Sequence, residues 1–305
     1  GAFGASLNML TDNYSKTANG EISNSFGSFN SRKHTVKFSS GLLNNNFELA
    51  GRLSKIASDG YIDRAFSDLK SYFLQGTFTN TKRTTLIKAL VFGGTEKTYQ
   101  SWNGIDEDTL NNDRTFNPSG QYTDEFGVTR FYDNETDNYQ QDHYQLIWNQ
   151  TINKNWSSNV AFHYTKGKGY YENYKEDEPF EDYNLIPIAG QTSTDLVRQK
   201  WLDNDFFGTT FSLNYKNSNL DIVYGGGWNK YLGDHFGKII WARYASTSEL
   251  GDHYYDHFGR KEDANTFLKT SYSVTKNLLL YFDLQVRAVQ YSANGDTGIV
   301  DDNFT

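Results

Sequence analysis

The densest set of metal-capable side chains lies in residues 251–259, GDHYYDHFG, which hold Asp252, His253, Asp256 and His257, with Asp234 and His235 nearby in sequence. His253 and His257 are four apart. That spacing puts two imidazoles on one face of a helix, and, being even, on one face of a strand. Imidazoles beside carboxylates suit a transition metal or an axial position on haem iron; the alternative is a pair of exposed loop histidines. A second set is aromatic. Trp102, Tyr122, Tyr139, Tyr170, Tyr171 and Trp241, with Tyr174 and Tyr244 beside them, fall in long polar connections. Tyr and Trp offer a large rigid face and a polar handle, which suits a bulky ligand such as a chelated metal, a porphyrin or a sugar. The bland alternative is loop self-packing.

Acidic pairs such as Asp106 with Asp108, or Glu176 with Glu178, have no partner base nearby and read as solvated loop charge rather than as acid/base catalysts. Residues 93–138 carry ten acidic against three basic side chains, a distribution that can concentrate cations but lacks the spacing of a calcium loop. With no cysteine in the chain, thiol nucleophiles and zinc-thiolate sites are excluded. The expectation is a protein that binds rather than catalyses, with no cofactor. A net charge of −8 argues against nucleic acid as a partner, which needs clustered positive charge.

These residues must be positioned by strands. Only three of 305 residues are proline, and proline is kept out of paired strands because it lacks the ladder N–H. From Glu21 onward the chain alternates with period two. Phe47, Leu49 and Leu53 oppose Glu48 and Arg52; Trp156, Val160, Phe162 and Tyr164 oppose Ser157, Asn159 and His163; Leu280, Phe282, Leu284 and Val286 oppose Asp283, Gln285 and Arg287. A soluble sandwich alternates too, so the connections decide. Every second one is minimal, at 43–46, 80–83, 153–155, 217–219 and 275–277. The others are long, at about 27–32, 59–67, 93–138, 168–202 and 232–258. Short turns at one rim and long loops at the other mark a transmembrane β-barrel. Trp148, Tyr164, Tyr215, Trp228 and Tyr281 sit where interfacial girdles would lie. Apolar residues are 37% of the chain and aromatic ones 16%, which fits one lipid-facing layer around a wet interior. No run approaches the ~18 apolar residues of a membrane helix.

The fold class expected is therefore all-β, an antiparallel transmembrane barrel wall of eleven strands. An open eleven-stranded sheet leaves two edges, whose unsatisfied backbone groups are costly in lipid, so more strands are expected to close it.

The opening GAFGASLNMLT reads as mid-strand and not as a signal peptide. Followed by a polar linker and EISNSFGSFNSRKHTVKFSSGLL, it resembles the plug-to-barrel junction of TonB-dependent outer-membrane transporters, with Gly4, Ala5, Asn8, Met9 and Thr11 at the places of that family's closing plug strand. FELAGRLSKIASDGYIDRAFSD and FGGTEKTYQSWNGI are similar to iron-complex receptors of Bacteroidota-type bacteria. The resemblance implies residues 1–19 as the last plug strand and linker, and 20–305 as the first half of a 22-stranded barrel. Most of the plug and the energy-coupling segment would lie outside this sequence, and the family's terminal aromatic strand is not seen at Phe304. It further implies location in the bacterial outer membrane, contact with its lipids, and energy from the TonB complex through the missing N-terminal region. The implied task is active uptake of a scarce nutrient, foremost a ferric-siderophore or haem complex. Cobalamin, oligosaccharide or peptide cargo, a passive porin-like channel and a soluble β-adhesin are the alternatives.

Overall fold

A computed structural model describes residues 14–295; Gly4 to Thr11 and Phe304, which carry part of the resemblance, lie outside them. The alternating segments form β1 (Asn19–Gly27), β2 (Ser31–Ser39), β3 (Phe47–Ser58), β4 (Ser67–Thr79), β5 (Thr85–Tyr99), β6 (Gln121–Thr123), β7 (Thr129–Phe131), β8 (Thr136–Thr151), β9 (Trp156–Pro179), β10 (Ser193–Lys216), β11 (Leu220–Ala242), β12 (His253–Thr275) and β13 (Leu278–Gly295). Eleven of them make one antiparallel sheet in chain order, and β6 and β7 form a separate hairpin within the β5–β8 connection. The minimal turns are built for tight reversal. In the turn at 43–46, Asn44 and Asn45 both take positive φ (48° and 59°), the conformation a two-residue hairpin requires and asparagine tolerates.

The sheet is inside-out relative to a soluble domain. Leu53 is 63% exposed while its near neighbour Glu48 is 2% exposed. Along β5, Lys88 and Leu90 are buried, and they alternate with Ile87, Ala89 and Val91 on the opposite face. The polar face is the crowded, concave one, and its carboxylates and amides find partners there. Glu48, for example, accepts hydrogen bonds from the Ser15 N–H (2.8 Å) and the Ser39 hydroxyl (2.5 Å). The convex face carries the large side chains, such as Leu146, Phe162, Leu284 and Val286, with about half their surface open. Such a face is stable against hydrocarbon and not against water.

The registers give this apolar band a height. On β9 it runs from Trp156 to Tyr164 and ends at Lys166; on β8 it ends at Asp142, on β10 at Asp205 and on β11 at Lys230. Asp142, Lys166 and Asp205 are register neighbours across three strands, so the charge line is continuous. Eight residues span about 26 Å along a strand, or about 20 Å of height at the usual barrel tilt, before the rings add their own reach. Among the aromatics expected at girdles, Trp148 and Tyr215 sit at the short-turn end of the outward face, and Tyr164 and Trp228 at the long-loop end. Tyr281 is a correction. One position out of phase with Leu280 and Phe282, it shares the polar face with Asp283, to which its hydroxyl donates at 2.9 Å.

The long connections also differ from the expectation. Between β9 and β10 only residues 180–192 are unpaired, and between β11 and β12 only 243–252. Most of the stretches read as loops at 168–202 and 232–258 are strands that continue far beyond the apolar band. The hydrophobic signal stops at the band edge, but backbone pairing does not need it. KIIWARYA accordingly ends β11 rather than forming a separate hairpin. The loop read at 93–138 is confined to 100–135 and holds α1 (Glu107–Asn112) and the β6–β7 hairpin.

In the full-length protein in lipid vesicles, Leu146→Arg, in mid-band on the outward face, is expected to destabilise by about 2–4 kcal/mol. Gln145→Arg, one residue before it and facing the interior, is expected to cost much less. Urea midpoints check this; equal losses would contradict the assigned faces.

Candidate functional site

The register sorts the six candidate aromatic residues onto two faces. Tyr139 lies on the polar face, where it lines a cavity of about 490 Å³ with Gln141, His143, His163, Asn204 and Tyr231. Its ring lies across Gly167 and Gly169 of the next strand. A Cβ at Gly167 would come within 2.2 Å of the Tyr139 hydroxyl, so the KGKG sequence makes the seat for the ring. Tyr171 shares that face, and Trp102 meets it edge-on with ring centres 6.0 Å apart. Tyr170, its chain neighbour, points the other way. Its ring packs tilted against Trp201 at 4.4 Å, Trp201 stacks on Phe236 at 5.8 Å, and Phe236 on His253 at 4.1 Å. Tyr122 and Trp241 also lie on the outer side, joined through Tyr174 (4.3 and 6.0 Å). Trp102, Tyr139 and Tyr171 thus form one set, descending the interior wall from the rim, while Tyr122, Tyr170 and Trp241 form no part of it.

The expected metal pair is overturned. His253 stacks on Phe236 and bonds Asp256 (2.6 Å) on the outer face, whereas His257 is the register partner of His235 on the interior face. The change of phase between Lys238 and Gly237 in the β11–β12 pairing breaks the even-spacing rule that joined them. Among the described residues, no group of three or more His, Cys, Asp or Glu could hold a metal ion.

The acidic pairs are structural. Asp106 caps α1 by accepting from the Thr109 N–H at 2.7 Å. Glu176 accepts from the Thr123 N–H at 2.8 Å, and Glu178 from the Tyr183 hydroxyl at 2.6 Å. The residues that sequence reading missed are those that moor the long loop. Glu172 is 3% exposed and accepts from the Tyr132 hydroxyl and the Asn134 amide (2.6 Å each) and from Gln199 (2.7 Å). Glu135 accepts from the Asn173 side chain (2.7 Å) and the Tyr174 N–H (2.9 Å). Asn117 is 1% exposed and ties the loop to the carbonyls of Asp63 and Gln100. The Arg64 guanidinium lies 3.7 Å from the centre of the Phe131 ring and donates to the Asn117 carbonyl. These partners are distant in sequence, and no local pattern marks them. Burial pushes the Glu135 carboxyl above the ordinary carboxylate range. Burial, reinforced by Asp195, pushes the Tyr174 hydroxyl up to about 12, so it remains a hydrogen-bond donor.

No family model and no curated protein matches the sequence. Solved structures do match its fold. The ferric-catecholate import receptor Fiu from E. coli K12, in its open form, superposes with a TM-score of 0.64 at 12% identity, over 93% of this chain and 46% of the receptor. The unliganded ferric citrate transporter FecA gives 0.61 at 12% identity, over 93% and 40%. The ferric yersiniabactin uptake receptor FyuA from Yersinia pestis gives 0.61 at 10% identity, over 93% and 44%. The chain spans less than half the length of each. At such identities the likeness is one of fold: the eleven strands have the architecture of the barrel wall in these structures, the fold that the sequence resemblance implies.

A buried carboxyl with a raised pKa binds its proton more readily when the loop is moored than when it is released. Mooring is therefore expected to strengthen as pH falls from neutral through that raised value toward the ordinary carboxylate range, and to weaken above it. Hydrogen exchange of residues 100–135, corrected for intrinsic rates, should show this between pH 8 and 5. Glu135→Gln should flatten the dependence and keep the loop in place; an unchanged profile would remove Glu135 from the mooring.

Proposed function

We propose that this chain is the first half of the barrel of a TonB-dependent outer-membrane transporter that takes up an iron complex, a ferric siderophore or haem. The observation that carries the reading is the placement of Trp102, Tyr171 and Tyr139. They step down the interior face from the moored loop to a polar cavity, on the side a transported molecule would pass. Fiu, FecA and FyuA are an import receptor, a transporter and an uptake receptor for ferric complexes, which supports iron complexes over cobalamin, oligosaccharide or peptide. These neighbours are receptors and transporters, which supports a binding role without catalysis.

Energy coupling belongs to this proposal through the sequence resemblance, with the TonB complex as partner of the region before the barrel. The physical case is one of affinity. A dilute and bulky cargo needs tight binding to be captured, and tight binding needs energy to be undone. Among the described residues the outer edges of β1 and β13 have no partner strand, which supports closure by further strands.

Uptake of radio-iron by cells carrying the full-length protein tests the assignment. Trp102→Ala with Tyr171→Ala is expected to lower uptake of the cognate ferric complex at least tenfold, with outer-membrane abundance unchanged and rising on iron depletion. Uptake equal to wild type, or ion conductance typical of an open pore in planar bilayers, would overturn it.

A further inference from the structure

The outer aromatic cleft is left over by that reading. It has a volume of about 740 Å³ and lies between the β6–β7 hairpin and the ends of β9, β10 and β11, with Tyr122, Phe126, Tyr132, Tyr174, Trp241 and Arg243 in its lining. Tyr174 stands on the same face of β9 as Tyr164 and Lys166, that is, on the lipid side of the wall. A molecule seated there cannot pass into the interior without crossing the sheet. We infer that the cleft is a saccharide-binding site for the glycan portion of a glycolipid in the surrounding outer leaflet.

Three observations carry this. The first is chemical. The stacked rings of Tyr122, Tyr174 and Trp241 leave Trp241 41% exposed, and Phe126 at the hairpin tip is 81% exposed. Ring faces receive the C–H faces of sugars, and polar side chains at the ring edges receive their hydroxyls. The polar groups are present: the Tyr174 hydroxyl donates to Asp195 at 3.1 Å, and Arg243 pairs with the same carboxylate at 2.8 Å.

The second is charge. Asp124 is committed to its own turn and to Arg130 (3.0 Å), and Arg243 to Asp195. Of the charged side chains lining the cleft, this leaves Glu125. No spare positive charge waits for a phosphate, so an uncharged polar ligand fits better than an anionic headgroup.

The third is height. Tyr174 is ten residues beyond Tyr164 on β9, about 33 Å along the strand. At a barrel tilt of about 35–45° that places it about 23–27 Å above the edge of the apolar band. Phospholipid headgroups occupy only about 5–8 Å beyond the hydrocarbon on each side, so they do not reach. A glycan chain anchored in the leaflet does. The cleft volume lies within the ~300–1,000 Å³ typical of small-molecule sites, room for a short oligosaccharide.

The test uses the full-length protein in phosphatidylcholine nanodiscs, titrated calorimetrically with an uncharged, phosphate-free outer-core oligosaccharide released from a rough lipopolysaccharide. Binding is expected, weakened at least tenfold by Trp241→Ala and by Phe126→Ser. Phe126 is exposed at a hairpin tip, so its replacement keeps the fold, and iron-complex uptake by that variant should be unchanged. No binding, or binding that neither variant weakens, would overturn the site. Equal affinity for a linear glucan of the same length would overturn the leaflet source. Equal affinity for phosphatidylglycerol vesicles would overturn sugar recognition.

Discussion

Within hydrocarbon a backbone N–H or C=O has no water to turn to, and each one left unpaired costs several kcal/mol. That constraint organises this wall more than any side-chain contact does. It requires strands paired on both sides, keeps proline out, and makes neighbours in sequence neighbours in space. The sheet order follows chain order without a crossover. Once the backbone is paired, period two does the rest: one face meets lipid, the other water. The interior can then be polar and the outside apolar with no thick core between them. Among the described residues, the buried hydrophobic cluster around Phe180, Tyr183, Leu196, Ile239 and Tyr254 lies at the strand tips rather than in the band.

Pairing also continues where hydrocarbon stops. β9 and β10 are 24 residues each, far more than the ~9–11 a bilayer needs. Above the charge line at Asp142, Lys166 and Asp205 the strands stand in water as a free-standing rim, held by their ladder and by cross-strand pairs. On the outer face these include the Lys166–Asp203 and Lys168–Asp203 ion pairs (2.6 and 2.9 Å) and the Tyr170–Trp201–Phe236 stack. Exposed ion pairs are worth little singly, but they satisfy a surface that must no longer be apolar. The rim gives the 100–135 loop something rigid to moor on, so the loop is held by residues of β9 such as Glu172 and Asn173.

What the sequence made legible follows from this division. Turns and faces within the band could be read because hydrophobicity and pairing change together there: Leu49 and Leu53 out, Glu48 and Arg52 in. Beyond the band the outward residues are no longer apolar, so strand and loop look alike in the sequence. Tyr281 stands near a strand end, where a girdle residue is expected, but its phase turns it to the polar face. His253 and His257 were joined by a spacing rule that a register shift in the β11–β12 pairing cancels. Glu135, Glu172 and Asn117 were invisible for a different reason. Their partners lie tens of residues away, and a buried carboxylate has no local signature until its donors are assembled around it.

Phase also decides what the rim aromatics can do. Tyr170 and Tyr171 are adjacent, yet one belongs to an outer stack with Trp201 and the other meets Trp102 over the interior. A ligand contact inferred from composition alone would pool them. Separated by face, they describe two surfaces with different reach: an inner one continuous with the polar cavity at Tyr139, and an outer one open only to what surrounds the barrel. The 100–135 loop spans both, with Trp102 near its start on the inner side and Tyr122 and Tyr132 on the outer. Its mooring at Glu135 and Glu172 lies between them, on opposite faces of one strand at Asn173 and Glu172. Loosening that mooring would therefore disturb both surfaces together, whereas a substitution at Phe126 or at Tyr171 reaches only one.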